Sequence, residues 1–267
     1  MIFVPHCSGQ MCNRIVFFAR ALATALDCGR DMTCFFGGEI RKFSDLHPEA
    51  LGATRVHCWG WHGSKIVDGV CGLFSPRNED ADARIRRLAA RPSFLPIVLG
   101  NWNFGNKAGM KRHRAAICAY LHAKDSLVDR ARQIVAKSRK EVEVVAGVHV
   151  RRGDYRTWQD GRFYFTDEEY ARLMREFAAA VGRSVKFLMV SNEPLDVSFF
   201  RRCGFRVENA TGSAAEDVVL LSECDFIFGP ASTFSAWAAY YGGKPIYRIT
   251  DKLARVDLDR FKVIEAV

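Results

Sequence analysis

Apolar positions follow two periods along this chain, and the periods alternate. Ile2, Phe3 and Val4 form an unbroken run that reads as a short strand over residues 2–5, after which Met11, Ile15, Phe18, Leu22 and Leu26 recur at helical spacing. A second strand is expected at 32–36, ahead of Gly37 and Gly38. From there to about residue 100 the pattern loses its period, apart from an Arg-rich helical stretch at 82–91. Residues 111–122 and 125–140 read as helices, the second polar and amphipathic, and the β-branched run Val142, Val144, Val145, Val148 and Val150 reads as a buried strand. Beyond it the alternation is regular. Helices are expected at 167–181, near Asp196, at 213–222 and at 233–241, with strands at 185–190, 205–207, 225–228 and 245–247. Such alternation makes a parallel, doubly wound sheet. The class is α/β, in two halves, 1–140 and 141–267, with no internal repeat or low-complexity linker.

The chemistry concentrates where the strand carrying Val150 ends. Gly147-Val148-His149-Val150-Arg151-Arg152-Gly153-Asp154-Tyr155 puts two arginines, a glycine and an aspartate at a strand's carboxyl end, the edge where open α/β sheets hold their ligands. Two guanidinium forks suit a diphosphate. Arg151 is the first candidate, since it alternates with Val150 and shares a face with His149. Arg152 either joins it or is salt-bridged to a neighbour. His149 orients the arginine, contacts a sugar, or fills the core, while Gly153 lets the backbone turn tightly toward a ligand. Asp154 either locks Arg151 or an N-terminal loop in place or takes part in catalysis. Downstream, Ser232, Thr233, Phe234 and Ser235 sit between a strand and a helix, where hydroxyls and free N–H groups can receive phosphate oxygens or cap the helix.

These segments carry a family resemblance. His149 to Tyr155 resembles the His-x-Arg-Arg-Gly-Asp-Tyr signature of the α1,2-fucosyltransferases, and related blocks occur in the α1,6- and protein O-fucosyltransferases. The stretch from Asp225 to Tyr240 resembles their second nucleotide-sugar block. Ser8-Gly9-Gln10-Met11-Cys12-Asn13-Arg14 resembles their opening loop, with Cys12 where relatives usually carry glycine, and the strand ending Val190-Ser191-Asn192-Glu193-Pro194 fits the same pattern.

The resemblance implies a GT-B-like fold of two Rossmann-like halves facing a cleft, the C-terminal half holding the nucleotide and the N-terminal half much of the acceptor. It implies an inverting transferase that moves L-fucose from GDP-fucose to a glycan hydroxyl, most like an α1,2 linkage, on a glycan or glycolipid acceptor. At least one of the two arginines falls on the diphosphate. Gly9 and Asn13 come near the diphosphate or the reacting sugar, and Arg14 adds a phosphate contact or is a solvated helix residue. Asp225 is placed to accept from guanine's paired N–H donors, against the alternative that it simply begins a strand. The acceptor's base follows the arginine block, where Gln159 and Asp160 stand; Asp160 is the first candidate and Asp154 the second. The phosphate contacts recognise no particular sugar, so another nucleotide-sugar donor, or a silent binder, stays open.

Composition narrows this further. The chain has 267 residues, an apolar share of 49% and a net charge of +9, which favours anionic partners without choosing among them. The arginines are dispersed over several predicted helices, so no nucleic acid is expected. Nine cysteines without tight pairing suggest reduced thiols in a cytoplasmic setting. No Cys-x-x-Cys spacing points to zinc, and Cys58 with His62 and His6 with Cys7 read as core or loop residues. The chain enters a strand at Met1-Ile2-Phe3-Val4 without a basic leader, and no apolar stretch reaches the ~20 residues of a membrane span. A lipid-linked acceptor would call for peripheral contact through a basic face. Asp80-Ala81-Asp82 and Asp257-Leu258-Asp259 follow no apolar strand and read as surface charge, so no metal is expected, and no cofactor beyond the donor substrate. No Gly-x-x-x-x-Gly-Lys-Ser/Thr loop suggests a nucleotide triphosphatase.

Overall fold

A computed structural model describes residues 1–5, 7, 9–60, 87, 90, 94–100, 105–253 and 255–267. The expected helix at 82–91, the Asp80–Asp82 pair, His6, Ser8, His62 and Cys71 lie outside them, as does the interior of the region without a period. The chain forms two compact units, Met1–Lys124 with Glu265–Val267, and Asp125–Ile264.

The first unit holds strand β1 (Ile2–Val4), helix α1 (Met11–Cys28), β2 (Met32–Cys34), the short helix α2 (Gly37–Ile40), β3 (Val56–Cys58) and β4 (Ile97–Val98). The strands run parallel in the order β3-β2-β1-β4. The long amphipathic α1 covers them, its spaced Ile15, Phe18 and Leu22 all without solvent exposure. Where one helix is expected at 111–122 there are two, α3 (Lys107–Arg112) and α4 (Arg114–Tyr120), interrupted at His113. His113 leaves helical geometry at φ −100° and ψ 16°, and its Nε2 sits 2.9 Å from Asp27. Asn106 caps α3 by accepting from the Gly109 N–H at 2.8 Å.

The second unit begins with α5 (Asp125–Arg139), then β5 (Val144–Val150), α6 (Asp167–Val181), β6 (Val185–Ser191), α7 (Ser198–Arg202) and β7 (Arg206–Asn209). It continues with α8 (Ala214–Glu223), β8 (Phe226–Pro230), α9 (Thr233–Gly242), β9 (Pro245–Ile249) and β10 (Lys262–Val263). The sheet order is β10-β9-β8-β5-β6-β7, parallel throughout except for the antiparallel edge strand β10. The division falls at 124/125 and not at 140/141, because α5 belongs with this sheet: Arg130 pairs with Glu216 and Arg132 with Glu223 on α8.

Every residue of β5 and β6 is buried, as central parallel strands flanked by helices require. Phe177, Phe187, Phe226, Phe228 and Phe261 pack edge-on and tilted at centroid distances of 5.2–6.4 Å to form the core on one face. On the other face Gly147 admits α8, since a Cβ there would lie 2.6 Å from the Leu221 Cδ2. Helices α6 and α8 each start with a capping box, Thr166 with Glu169 and Ser213 with Glu216. Both starts lie at the carboxyl edge of the sheet, where β5 and β8 also deliver the arginine and serine blocks.

Candidate active site

Parallel pairing of β5 with β8 brings the two sequence blocks together, although dozens of residues separate them in the chain. The Tyr155 hydroxyl donates to the Ala231 carbonyl at 2.7 Å, and the His149 and Phe234 rings lie 4.8 Å apart. The Arg151 guanidinium is clasped by Asp154, Nε to Oδ1 and Nη2 to Oδ2 both at 3.0 Å, and lies 5.5 Å from the centre of the Tyr155 ring. Only 14% of its side chain is exposed, so its direction is set by the protein. The contact pairs Asp154 with Arg151 at both carboxylate oxygens.

Arg152 is salt-bridged to a neighbour. It pairs with Asp167 in the first turn of α6, while its backbone N–H donates to the Asn192 Oδ1 at 2.8 Å. Gly153 turns at φ +56°, and a Cβ there would lie 3.0 Å from Asn192 Nδ2 and 3.2 Å from Glu193 Oε1. Glycine suits both the left-handed backbone and this close approach. His149 is 3% exposed, and burial, then the Arg151 charge, push its pKa down to about 3. It is therefore neutral at physiological pH. Its Nδ1 and the Ser235 Oγ are buried without a hydrogen-bond partner among the described residues. Ser232 caps α9 by accepting from the Phe234 N–H at 3.1 Å, so it, Thr233, Phe234 and Ser235 surround a helix N-terminus. Such an end offers unsatisfied N–H groups and a partial positive charge to an anion.

Asp225 is a correction. It precedes β8 at the amino end of the sheet, level with Val145, whose N–H it accepts at 2.9 Å. Arg139 grips it at 2.6 and 3.1 Å. The strand between Val145 and Arg151 spans about 20 Å at ~3.3 Å per residue, so Asp225 stands away from the arginine block and anchors α5 instead.

A buried carboxylate at the carboxyl edge of the sheet is Asp217, which the sequence reading passed over. It lies in the first turn of α8, is 5% exposed, and accepts from the Gly212 N–H at 2.6 Å through Oδ1. Burial raises its pKa to about 6 against the partial relief of the Gly212 hydrogen bond. The Ser213-x-x-Glu216 capping signature was the available signal, because it places Asp217 just inside a helix that begins at this edge.

Asp160 is exposed, and with Gln159 it adopts left-handed geometry, φ 57° and 49°, uncommon for residues with side chains. Trp158 beside it packs 4.8 Å from Tyr155 and 5.3 Å from Phe163.

Gly9 and Asn13 belong to the first unit. Gly9 turns at φ +93°, its carbonyl accepts from the Arg14 Nε at 3.0 Å, and Asn13 lies in the first turn of α1. Arg14 thus closes its own loop. Cys12 is buried within the first turn of α1. Among the described residues no group of His, Cys, Asp or Glu could hold a metal ion, and no helix is long and apolar enough to cross a membrane. Asp257 accepts from the Asp259 N–H at 3.2 Å, a local cap.

A model of glycosyl transferase family 11 matches residues 103–259. Galactoside alpha-(1,2)-fucosyltransferase 2 of Pongo pygmaeus is 34% identical over 113 residues, 38% of this chain and 32% of that protein. Galactoside 2-alpha-L-fucosyltransferase SEC1 of Bos taurus is 31% identical over 115 residues, covering 38% and 30%. The match thus spans about a third of the length of these curated relatives. Among solved structures, the alpha-1,6-fucosyltransferase NodZ soaked with GDP-fucose superposes with a TM-score of 0.61 at 15% identity, covering 97% of this chain and 96% of that one. POFUT1 in complex with GDP-fucose gives 0.59 at 10% identity, covering 90% and 93%. At such identities the likeness is one of fold, and the two-unit, mostly parallel α/β architecture expected of a GT-B-like chain is present.

Proposed function

This chain belongs to glycosyl transferase family 11, and on that premise we propose that it transfers L-fucose from GDP-fucose to a glycan hydroxyl with inversion, in an α1,2 linkage and without a metal ion. The observation that carries this reading is the clasped Arg151 beside the α9 N-terminus at one sheet edge.

Negative charge grows on the β-phosphate as the sugar leaves. A guanidinium fixed by Asp154 and Tyr155, together with the N–H groups of a capped helix, stabilises that charge without reorganising. Arg152 and Asn192 hold the loop that carries Arg151, and Gly153 lets it approach the ligand. Asp217 is the base-reading group of this proposal: a buried carboxylate matches the paired N1–H and N2–H donors of guanine, which uracil and thymine lack. That favours GDP over UDP or dTDP donors.

Asp160 is the better of the two candidate bases, since Asp154 is engaged with Arg151. Its left-handed backbone stores local strain of the kind found at ligand clamps. The first unit provides much of the acceptor's binding surface. The acceptor is a glycan or glycolipid, reached from the cytoplasm with peripheral membrane contact where it is lipid-linked.

Turnover and thermal shift with GDP-fucose, GDP-mannose, UDP-galactose and dTDP-rhamnose, with and without EDTA, test this. GDP-fucose alone is expected to turn over, at equal rates in EDTA, and GDP to protect the fold. Turnover of a uridine or thymidine donor, or loss of activity in EDTA, overturns the donor or the metal-free assignment.

A further inference from the structure

The first unit carries a pair of thiols that the transfer chemistry does not use. Strands β2 and β3 run parallel and in register, and their last residues, Cys34 and Cys58, are direct partners. Side chains at in-register positions of adjacent strands project from the same face of a sheet. Neighbouring strands lie about 4.8 Å apart, within the range of about 4.4–6.8 Å that Cα atoms joined by a disulfide span. The two thiols are near enough to shift each other's ionisation.

The surroundings make the partners unequal. Cys34 is fully buried, and burial and its neighbour raise its pKa well above that of a free thiol. Cys58 is half-buried, and neighbouring Cys34, with the Tyr120 hydroxyl 3.8 Å from its sulfur, lowers its pKa. The Arg41 guanidinium, which donates to the Cys58 carbonyl at 3.5 Å, adds positive charge. Together these favour the Cys58 thiolate, and the thiolate is the nucleophile. Two other thiols move the opposite way: burial pushes Cys118 up to about 11 and Cys224 up to about 12. The pair also stands at the carboxyl edge of the first unit's sheet.

We propose that Cys34 and Cys58 form a reversible dithiol–disulfide site that reacts with hydroperoxides. The Cys58 thiolate attacks one peroxide oxygen, the O–O bond breaks, and the departing oxygen takes a proton to leave as water, or as an alcohol from an organic peroxide. Cys58 is then a sulfenic acid. The Cys34 sulfur attacks the Cys58 sulfur, hydroxide leaves and takes up the Cys34 proton as water, and the disulfide forms. Two electrons pass from the thiols to the peroxide. A small dithiol returns the pair to its reduced state by exchange. This site stands independently of the donor and acceptor assigned above.

The test uses the intact protein and hydrogen peroxide in small excess, followed by non-reducing tryptic mass spectrometry. Trypsin releases Cys34 in peptide 31–41 and Cys58 in peptide 56–65. The expected product is these two joined, two hydrogens lighter than their sum, and reverting with dithiothreitol. In Cys34→Ser, dimedone should label Cys58; in Cys58→Ser, Cys34 should stay unlabelled. Because the wild-type mapping needs no variant, a misfolded mutant leaves the question answerable. Oxidation of other thiols with the pair left reduced, or dimedone on Cys34 and not Cys58, overturns the proposal.

Discussion

Asp217 makes the sharpest claim, because one residue is expected to weaken the fold and serve the ligand. Its pKa stands near 6 where an unperturbed aspartate has 3.8, and burial is the main cause. A rise of about two units is worth roughly 3 kcal/mol between the protonation states, with little solvent discount at 5% exposure. The native state holds this proton more tightly than the unfolded chain does. The stability linked to protonation is therefore fully present below pH 3.8 and is lost as pH rises through about 6. At pH 8 the ionised carboxylate is a standing cost.

Asp217→Asn keeps an acceptor for the Gly212 N–H and removes the charge, so it is expected to stabilise the protein at pH 8 by up to about 3 kcal/mol. The same change should weaken GDP-fucose binding by about 10- to 100-fold, the worth of charge-assisted hydrogen bonds to guanine. Calorimetric titration from pH 8 to 5 provides the assay. GDP-fucose is the right probe, since its diphosphate is esterified at both ends and does not titrate in this window. His149, with its pKa near 3, is silent there as well. Wild-type affinity should fall about tenfold by pH 5, and the Asn variant should give a flat profile. A flat wild-type profile, or an Asn variant that is both less stable and equally tight, would refute the assignment of Asp217 to the base.

Other residues give independent checks. Arg151→Ala should abolish turnover and lower GDP affinity at least tenfold by titration while the circular dichroism spectrum stays native; unchanged kcat would remove Arg151 from the chemistry. Asp225→Ala leaves the Val145 N–H without its acceptor and frees Arg139. It should cost about 1–3 kcal/mol in urea unfolding and leave GDP affinity within about twofold. Gly147→Ala drives a Cβ against the Leu221 methyl at 2.6 Å and Cys224 Sγ at 3.2 Å; a loss of about 1–3 kcal/mol is expected from overpacking, again read in urea. Gly153→Ala forces a side chain into φ +56° against Asn192. It should cost about 1–2 kcal/mol and weaken GDP binding, and a neutral result would argue that the loop does not set Arg151.

The local signals in this sequence were legible because their causes are local. Continuous burial made β5 and β6 readable as central strands, and the spacing of Met11, Ile15, Phe18 and Leu22 made α1 readable to within two residues of its end. The two- and three-residue strands β3, β4 and β10 offered too few positions for a period to be read. Among site residues, Arg151, Gly153 and the Ser232–Ser235 turn could be placed from their position after an apolar strand, since a parallel sheet sends every strand's carboxyl end to one edge.

Which carboxylate shares that edge was a different kind of question. Asp225 and Asp217 both lie near strand β8 in the chain, yet one precedes the strand at the amino edge while the other opens a helix at the carboxyl edge. Their environments come from Arg139, 86 residues before Asp225, and from burial against packed helices. The ion pair of Arg152 with Asp167 likewise exists only once α6 has folded back over the sheet. Periodicity and caps act over a few residues and are written in them. Partners and desolvation act through space, so only the packed chain decides which charged groups meet a ligand and which hold the frame.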